Sequence, residues 1–402
     1  MKHIPFSPPD ITEEEIAAVA DALRSGWITT GPRTAAFERE IAAYCGADRA
    51  VCLNSATAAL ELALRALGIG PGDEVITSAY TYTASASVIC HVGATPVLVD
   101  VPFGSFHLSA QDIAAAVTSR TKAVIPVDIA GVMCDYAAIK DALEQEKHRF
   151  QPKNPLAEQI GRAAVIADCA HSFGAQRDGK RAGAYADFSC FSFHAVKNLT
   201  TAAGGAVVFS NTDGKDSDEL YKWFRTYSLH GQTKDARAKL EPGAWEYDIL
   251  KPAYKCNMTD LSAAMGLVQL SRYPALLARR REIIAMYDRA FSDTGILPLA
   301  HAGEHFLSSG HLYLTRIAGA DAQQRNRAIR LLAERGIAAN VHYKPLPMLS
   351  AYRDMGFSIA DFPHAYRQYE NELTLPLHTR LTDEDVLYII DTYKQIVSFL
   401  FQ

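Results

Sequence analysis

The stretch Phe188-Ser-Cys-Phe-Ser-Phe-His-Ala-Val-Lys-Asn-Leu-Thr-Thr-Ala-Ala-Gly-Gly205 decides how the rest of the chain folds. Phe188 to Phe193 alternates large apolar side chains with Ser and Cys, as a buried strand does, and a polar turn holding Lys197 follows it. In an open α/β sheet such a turn lies at the carboxyl edge of the strands, where ligands bind. A loop lysine is ordinarily a solvated charge. Held at that edge and stripped of water, the same amine loses its proton and becomes able to form a Schiff base.

Two upstream stretches add to this. Ala163-Ala-Val-Ile-Ala-Asp168 reads as a strand ending in an aspartate, followed by Cys169-Ala-His171. Alone, a strand-end aspartate reads more readily as a helix cap or turn former. Lys197 follows after the next predicted strand, so in a parallel sheet Asp168 and Lys197 share one carboxyl edge. Further back, the strand Ala50-Val-Cys-Leu-Asn54 leads through Ser55-Ala56-Thr57 into a helical run, Ala58 to Leu67. Strand, small polar turn and helix start expose free N–H groups, which suits a phosphate. A reactive lysine, a carboxylate and a phosphate cradle are the three groups pyridoxal phosphate requires.

The remaining pattern is that of α/β with a parallel sheet. Strands are predicted at Glu74–Thr77, Thr95–Asp100, Ala123–Val127 and Ala206–Phe209, and helices from Asp10, over Arg33–Tyr44 and over Tyr82–His91. Residues 144–159, charged and carrying Pro152 and Pro155, read as a surface excursion. Beyond residue 211, helices are expected at Tyr221–Leu229, Asp260–Leu270 and Tyr273–Phe291, with a loop or crossover over 231–251. The end of the chain, strand-like at Leu312–Ile317 and Ala338–Val341 with helices at Ala322–Arg335 and Thr382–Phe399, reads as a smaller α+β unit. The division falls near 265–290. We take residues 1–265 as a large domain and 266–402 as a small one, with the N-terminal segment available to pack on the latter.

At 402 residues, two domains are the default. With 49% apolar and 21% charged residues the composition is that of an ordinary globular protein, and a net charge of -5 argues against a nucleic-acid-binding surface. Seven cysteines without a C-x-x-C pair read as buried thiols rather than metal ligands. No stretch reads as a signal peptide or a membrane span, so a cytoplasmic enzyme is expected.

Six ordered motifs carry a resemblance: Asn54-Ser-Ala-Thr-Ala-Ala-Leu60, Pro71-Gly-Asp-Glu-Val-Ile76, Tyr80-Thr-Tyr82, Asp168-Cys-Ala-His171, Ser192-Phe-His-Ala-Val-Lys197 and Gly204-Gly205. Together they resemble the DegT/DnrJ/EryC1/StrS aminotransferases, sugar aminotransferases of the aspartate-aminotransferase fold, that is, the type I fold of pyridoxal phosphate (PLP) transferases. The resemblance implies that Lys197 is the Schiff-base lysine and proton carrier, and that Asp168 pairs with the pyridinium nitrogen. It further implies that Tyr82 stacks on the ring, that Ser55, Ala56, Thr57 and Ser192 hold the phosphate, and that His171 lies near the phenolic oxygen. Asn257 would reach the phosphate of a neighbouring subunit in a homodimer with shared sites, although Lys255 in Tyr254-Lys-Cys-Asn257 competes for that role.

Ser192–Asn198 and Tyr254–Asp260 look most like enzymes that aminate UDP-linked 4-keto sugars with glutamate, for surface polysaccharide or lipid A sugars. Amination at C3, a dTDP- or GDP-linked sugar, and a non-catalytic regulatory relative are the alternatives. Trp27, Thr30, His194, His342, Tyr343 and His378 are candidates for contacting the nucleotide sugar. A Rossmann oxidoreductase is disfavoured because residues 54–60 lack the G-x-G-x-x-G spacing.

Overall fold

The computed structural model describes residues 2–210, 217–234 and 245–401. In chain order its strands are β1 (Arg49–Leu53), β2 (Glu74–Ser78), β3 (Thr95–Val99), β4 (Thr121–Ile125), β5 (Ala164–Asp168), β6 (Gln176–Arg177), β7 (Lys180–Arg181), β8 (Phe188–Ser192), β9 (Gly205–Phe209), β10 (Ile296–Pro298), β11 (Phe306–Leu307), β12 (Tyr313–Ile317) and β13 (Glu372–Leu375). A seven-stranded sheet in the order β1-β9-β8-β5-β4-β2-β3 forms the centre, with helices packed on its two faces. β5 pairs with β8 in parallel, Ile166 opposite Phe188 and Asp168 opposite Cys190, so both strands end on one edge.

Ala206–Phe209, expected as one more parallel strand, runs antiparallel to both of its neighbours. The reason is the connection. Residues 193–204 contain no helix and cannot make a crossover, so the chain turns straight back as a hairpin does. That turn is closed by hydrogen bonds from Phe193 N to Gly204 O at 2.8 Å and from Thr201 N to Phe193 O at 2.9 Å. The reversal brings Gly205 opposite Leu53, next to the start of the helix Ala56–Ala66.

The two helices expected at Asp260–Leu270 and Tyr273–Phe291 are one helix, Asp260–Phe291, with Pro274 inside it. Tyr273, Leu276 and Leu277 are buried in the large core, and Ile283, Ile284, Tyr287 and Phe291 in a second core formed with β10, β12 and β13. Packing at both ends outweighs the one backbone bond that proline cannot donate. The expected domain division therefore falls on a continuous helix. Ile4 belongs to the second core, and its backbone bonds Gly336 and Ala338. Within the presumed surface excursion, Asn154 caps a short helix, Pro155–Ile160, that ends at Gly161 in the left-handed region. Ala338–Val341 forms no strand beyond a single bridge, Asn340 to Thr374. The loop expected over 231–251 lies partly outside the described residues.

Glu15 fastens the first helix, Glu13–Arg24, to the long one. Its carboxylate accepts from Thr12 N at 2.7 Å, Gln269 Nε2 at 2.8 Å and Arg272 at 2.6 Å. Burial alone would raise this carboxyl, but the donors outweigh it and hold the pKa at about 2. A depressed carboxyl contributes stability above its unfolded pKa of 4.5 and loses it as pH falls toward 2. We expect Glu15→Ala to cost about 2–3 kcal/mol of stability at pH 7 in urea unfolding. Glu15→Gln should remove part of the wild-type stability loss between pH 4.5 and 2.

Candidate active site

β5 and β8 deliver the two principal groups. Asp168, the last residue of β5, is buried, and each carboxylate oxygen is held: Oδ2 accepts from Ser85 Oγ at 2.7 Å and Oδ1 from Ala170 N at 3.1 Å. Burial raises its pKa, while Ser85, Ala170 and the nearby Lys197 amine oppose the rise. Lys197 sits in the turn after β8, its N–H bonded to His194 O at 2.8 Å. Loss of water brings its amine down from 10.5 to about 8, with Asp168 working in the other direction. A shift of that size leaves roughly 300-fold more neutral amine at pH 7.

Both groups line a cavity of about 420 Å³, within the range of small-molecule sites. Ser55, Ala56, Thr57, Tyr82, His171, Ser192, His194 and Tyr343 line it with them, so the structure collects ten of the sequence-derived candidates in one place. The helix Ala56–Ala66 starts at its wall. Ser55 Oγ accepts from Ala58 N, and the N–H groups of Ala56 and Thr57 have no acceptor within the helix. Gly205 faces them closely: a Cβ there would lie 2.4 Å from Ala56 N and 2.7 Å from Phe191 O. Only glycine lets β9 close against this helix start.

His171 is buried and neutral. Burial comes first among the causes that hold its pKa well below 6.5, followed by the nearby Lys197 amine. Its Nδ1 accepts from Ala130 N at 3.2 Å, so Nε2 carries the hydrogen and donates to Tyr343 Oη at 3.0 Å. Tyr82 is 60% exposed at the rim, its ring 5.8 Å from that of Tyr343.

The other candidates lie outside this cavity. Asn257 donates to Thr30 Oγ1 and accepts from Lys255 Nζ at 2.5 Å, and Trp27 Nε1 donates to Thr30 O at 3.2 Å. These four residues form a separate polar cluster. His342 is turned to Thr374 and stacks on Phe6, and His378 bonds Pro5 O at 3.1 Å. Sequence reading missed Ser85 and His311. Ser85 looked like one more small residue in Thr83-Ala-Ser-Ala86. His311 closes the polar run Ser308-Ser-Gly-His311 just before the apolar strand β12, a position where buried polar groups need a reason.

The chain matches the DegT/DnrJ/EryC1/StrS aminotransferase family over residues 9–394. It is 39% identical over 404 aligned positions to the spore coat polysaccharide biosynthesis protein SpsC of Bacillus subtilis (strain 168), covering 98% of this chain and 97% of that one. Among solved structures, Spr1654 from Streptococcus pneumoniae in its PMP-form superposes with a TM-score of 0.97 at 53% identity, covering 99% of this chain and all of that one. The same protein has been solved in a PLP-form. Helicobacter pylori PseC, an aminotransferase involved in the biosynthesis of pseudoaminic acid, gives a TM-score of 0.86 at 27% identity over 99% of this chain and all of that one. This chain belongs to the DegT/DnrJ/EryC1/StrS aminotransferase family. Its fold is the type I fold of PLP-dependent aminotransferases.

The residues present fit that cofactor: a cradle of free N–H groups that only Gly205 permits, a buried carboxylate and a depressed lysine share one cavity. Competitive labelling of the cofactor-free protein with trace acetic anhydride, read on the Lys197 peptide by mass spectrometry, should show reactivity rising through about pH 8. A midpoint at the ordinary lysine value of 10.5 contradicts the desolvation argument.

Proposed function

We propose that this protein is a PLP-dependent aminotransferase that moves the amino group of glutamate to the 4-keto carbon of a UDP-linked sugar. The observation that carries the reading is the joining of Lys197, Asp168 and the start of the helix Ala56–Ala66 in one cavity. When bound, PLP supplies an electron sink for the carbon that loses its proton. Ser55, Ala56, Thr57 and Ser192 would hold its phosphate, and Asp168 its ring nitrogen. His171, with its hydrogen on Nε2, would hold Tyr343 beside the phenolic oxygen, and Tyr82 would cover the ring from the rim.

Lys197 is the residue that would hold the cofactor covalently. Released, its Nζ takes the proton from the amine-bearing carbon of the donor in one half-reaction. In the other it gives a proton to the accepting sugar carbon. A pKa near 8 suits both tasks, since the amine can give and take a proton near neutral pH. Ser85 and Ala170 donate to Asp168 and so favour its charged form against the burial that raises its pKa.

A sugar substrate is supported by the likeness to SpsC, a spore coat polysaccharide biosynthesis protein, and to PseC, an aminotransferase involved in the biosynthesis of pseudoaminic acid. The 4-keto position and the UDP group rest on the motifs Ser192–Asn198 and Tyr254–Asp260. The homodimer reading is supported by the position of Asn257 and Lys255, which do not line their own chain's cavity. Exposed Trp245, Tyr247, Ile249 and Leu250 supply an apolar surface of the kind a subunit covers.

Incubation of the holoprotein with glutamate and a panel of UDP-4-keto sugars, read by mass spectrometry, should yield a UDP-4-amino sugar. Lys197→Ala should turn over slower by about a thousandfold or more. Amination confined to C3 or to dTDP- or GDP-linked sugars would overturn the substrate assignment, and normal turnover by Lys197→Ala would overturn the mechanism.

A further inference from the structure

His311 is buried just before β12 and touches Lys197. Its Nε2 lies 3.5 Å from Lys197 Nζ and its Nδ1 lies 3.0 Å from Asn198 Oδ1. Asn198 cannot turn over to change this pairing, because its Nδ2 donates to Ser309 O at 2.8 Å. Nδ1 therefore carries the hydrogen, and the lone pair of Nε2 faces the amine. The main chain is fixed as well: His311 N donates to Ala130 O at 3.1 Å, and Ala130 N donates to His171 Nδ1.

The groups facing His311 are Lys197, His171, Arg280 and His342, all basic, with the His171 ring centroid 4.4 Å away. Burial first, with the basic Lys197 and Arg280 adding to it, keeps the imidazole neutral. A neutral ring with a fixed lone pair is an acceptor and nothing else. We propose that His311 is a positioning residue that accepts an N–H of the free Lys197 amine and so aims that amine at the carbon it must attack.

The proposal rests on the reading of Lys197 as the cofactor lysine. In capture of the cofactor, the neutral Nζ adds to the aldehyde carbon of PLP, and its two hydrogens leave with the aldehyde oxygen as water. An amine with one N–H tied to His311 makes that approach in one orientation rather than many, which lowers the entropic part of the barrier. Pyridoxamine phosphate (PMP) needs no bond to Lys197, so its binding is independent of the aim.

The test follows PLP capture by the cofactor-free protein, as growth of visible absorbance in stopped flow, beside calorimetric binding of PMP. His311→Phe keeps a ring of similar size without the acceptor, and should capture PLP about tenfold slower, equivalent to roughly 1.4 kcal/mol, with PMP affinity unchanged. His311→Gln returns an acceptor toward Nζ and should recover most of the rate. Wild-type capture by His311→Phe overturns the proposal while leaving Lys197 its role. Equal slowing by His311→Phe and His311→Gln reduces His311 to packing and also overturns it. Absence of a visible band in the wild type fails the reading of Lys197 itself. Should His311→Phe not fold, Asn198→Leu, which frees the ring to turn its lone pair away, replaces it. It must capture more slowly than His311→Gln, and the reverse order overturns the proposal.

Discussion

The parallel pairing of β5 with β8 sets everything else in this molecule. Because Asp168 stands opposite Cys190 in that ladder, the aspartate and the turn that follows Ser192 leave the sheet on the same side. A one-residue slip would turn Asp168 to the other face and part it from the cavity. The register is held by what lies around it: Ala164–Asp168 and Phe188–Phe191 are buried, with Phe188 in the core on one face and Phe191 in the core on the other. The reversal into β9 then brings Gly205 against the helix that starts at Ala56. One ladder and one tight turn thus assemble three chemically different groups.

Burial is what makes those groups useful. Water would hold Lys197 protonated and would screen Asp168 from it; removed from water, the amine drops to about 8, and Ser85 and Ala170 favour the charged carboxylate against its burial. The histidines follow the same logic in reverse. His171 and His311 are neutral because burial and neighbouring positive groups disfavour a further charge, and each has its tautomer fixed by one partner, Ala130 N for the first and Asn198 for the second. A neutral, oriented imidazole directs hydrogens without competing for the proton that Lys197 carries.

Much of this was legible in the sequence because it is local. Alternation in Phe188–Phe193, the acidic end of Ala163–Asp168 and the small turn before Ala58 each declare a strand end or a helix start within a few residues. The direction of β9 was not, since it depends on how a helix-free connection closes and not on the strand's own residues. The long helix was hidden by Pro274, whose local cost is outweighed by two separate cores at its ends. His311 and Ser85 were missed for a related reason: their meaning comes from residues 114 and 83 positions away, Lys197 and Asp168, which only the folded chain brings near.

The assignment of the whole site stands on the bond that Lys197 is said to make. Saturating the full-length protein with PLP, reducing it with borohydride and mapping the phosphopyridoxyl mass by peptide sequencing reads that bond without reference to substrate or turnover. The adduct should fall on Lys197 and on no other lysine. An adduct on another lysine, or none at all in protein that has bound PLP, would contradict the account.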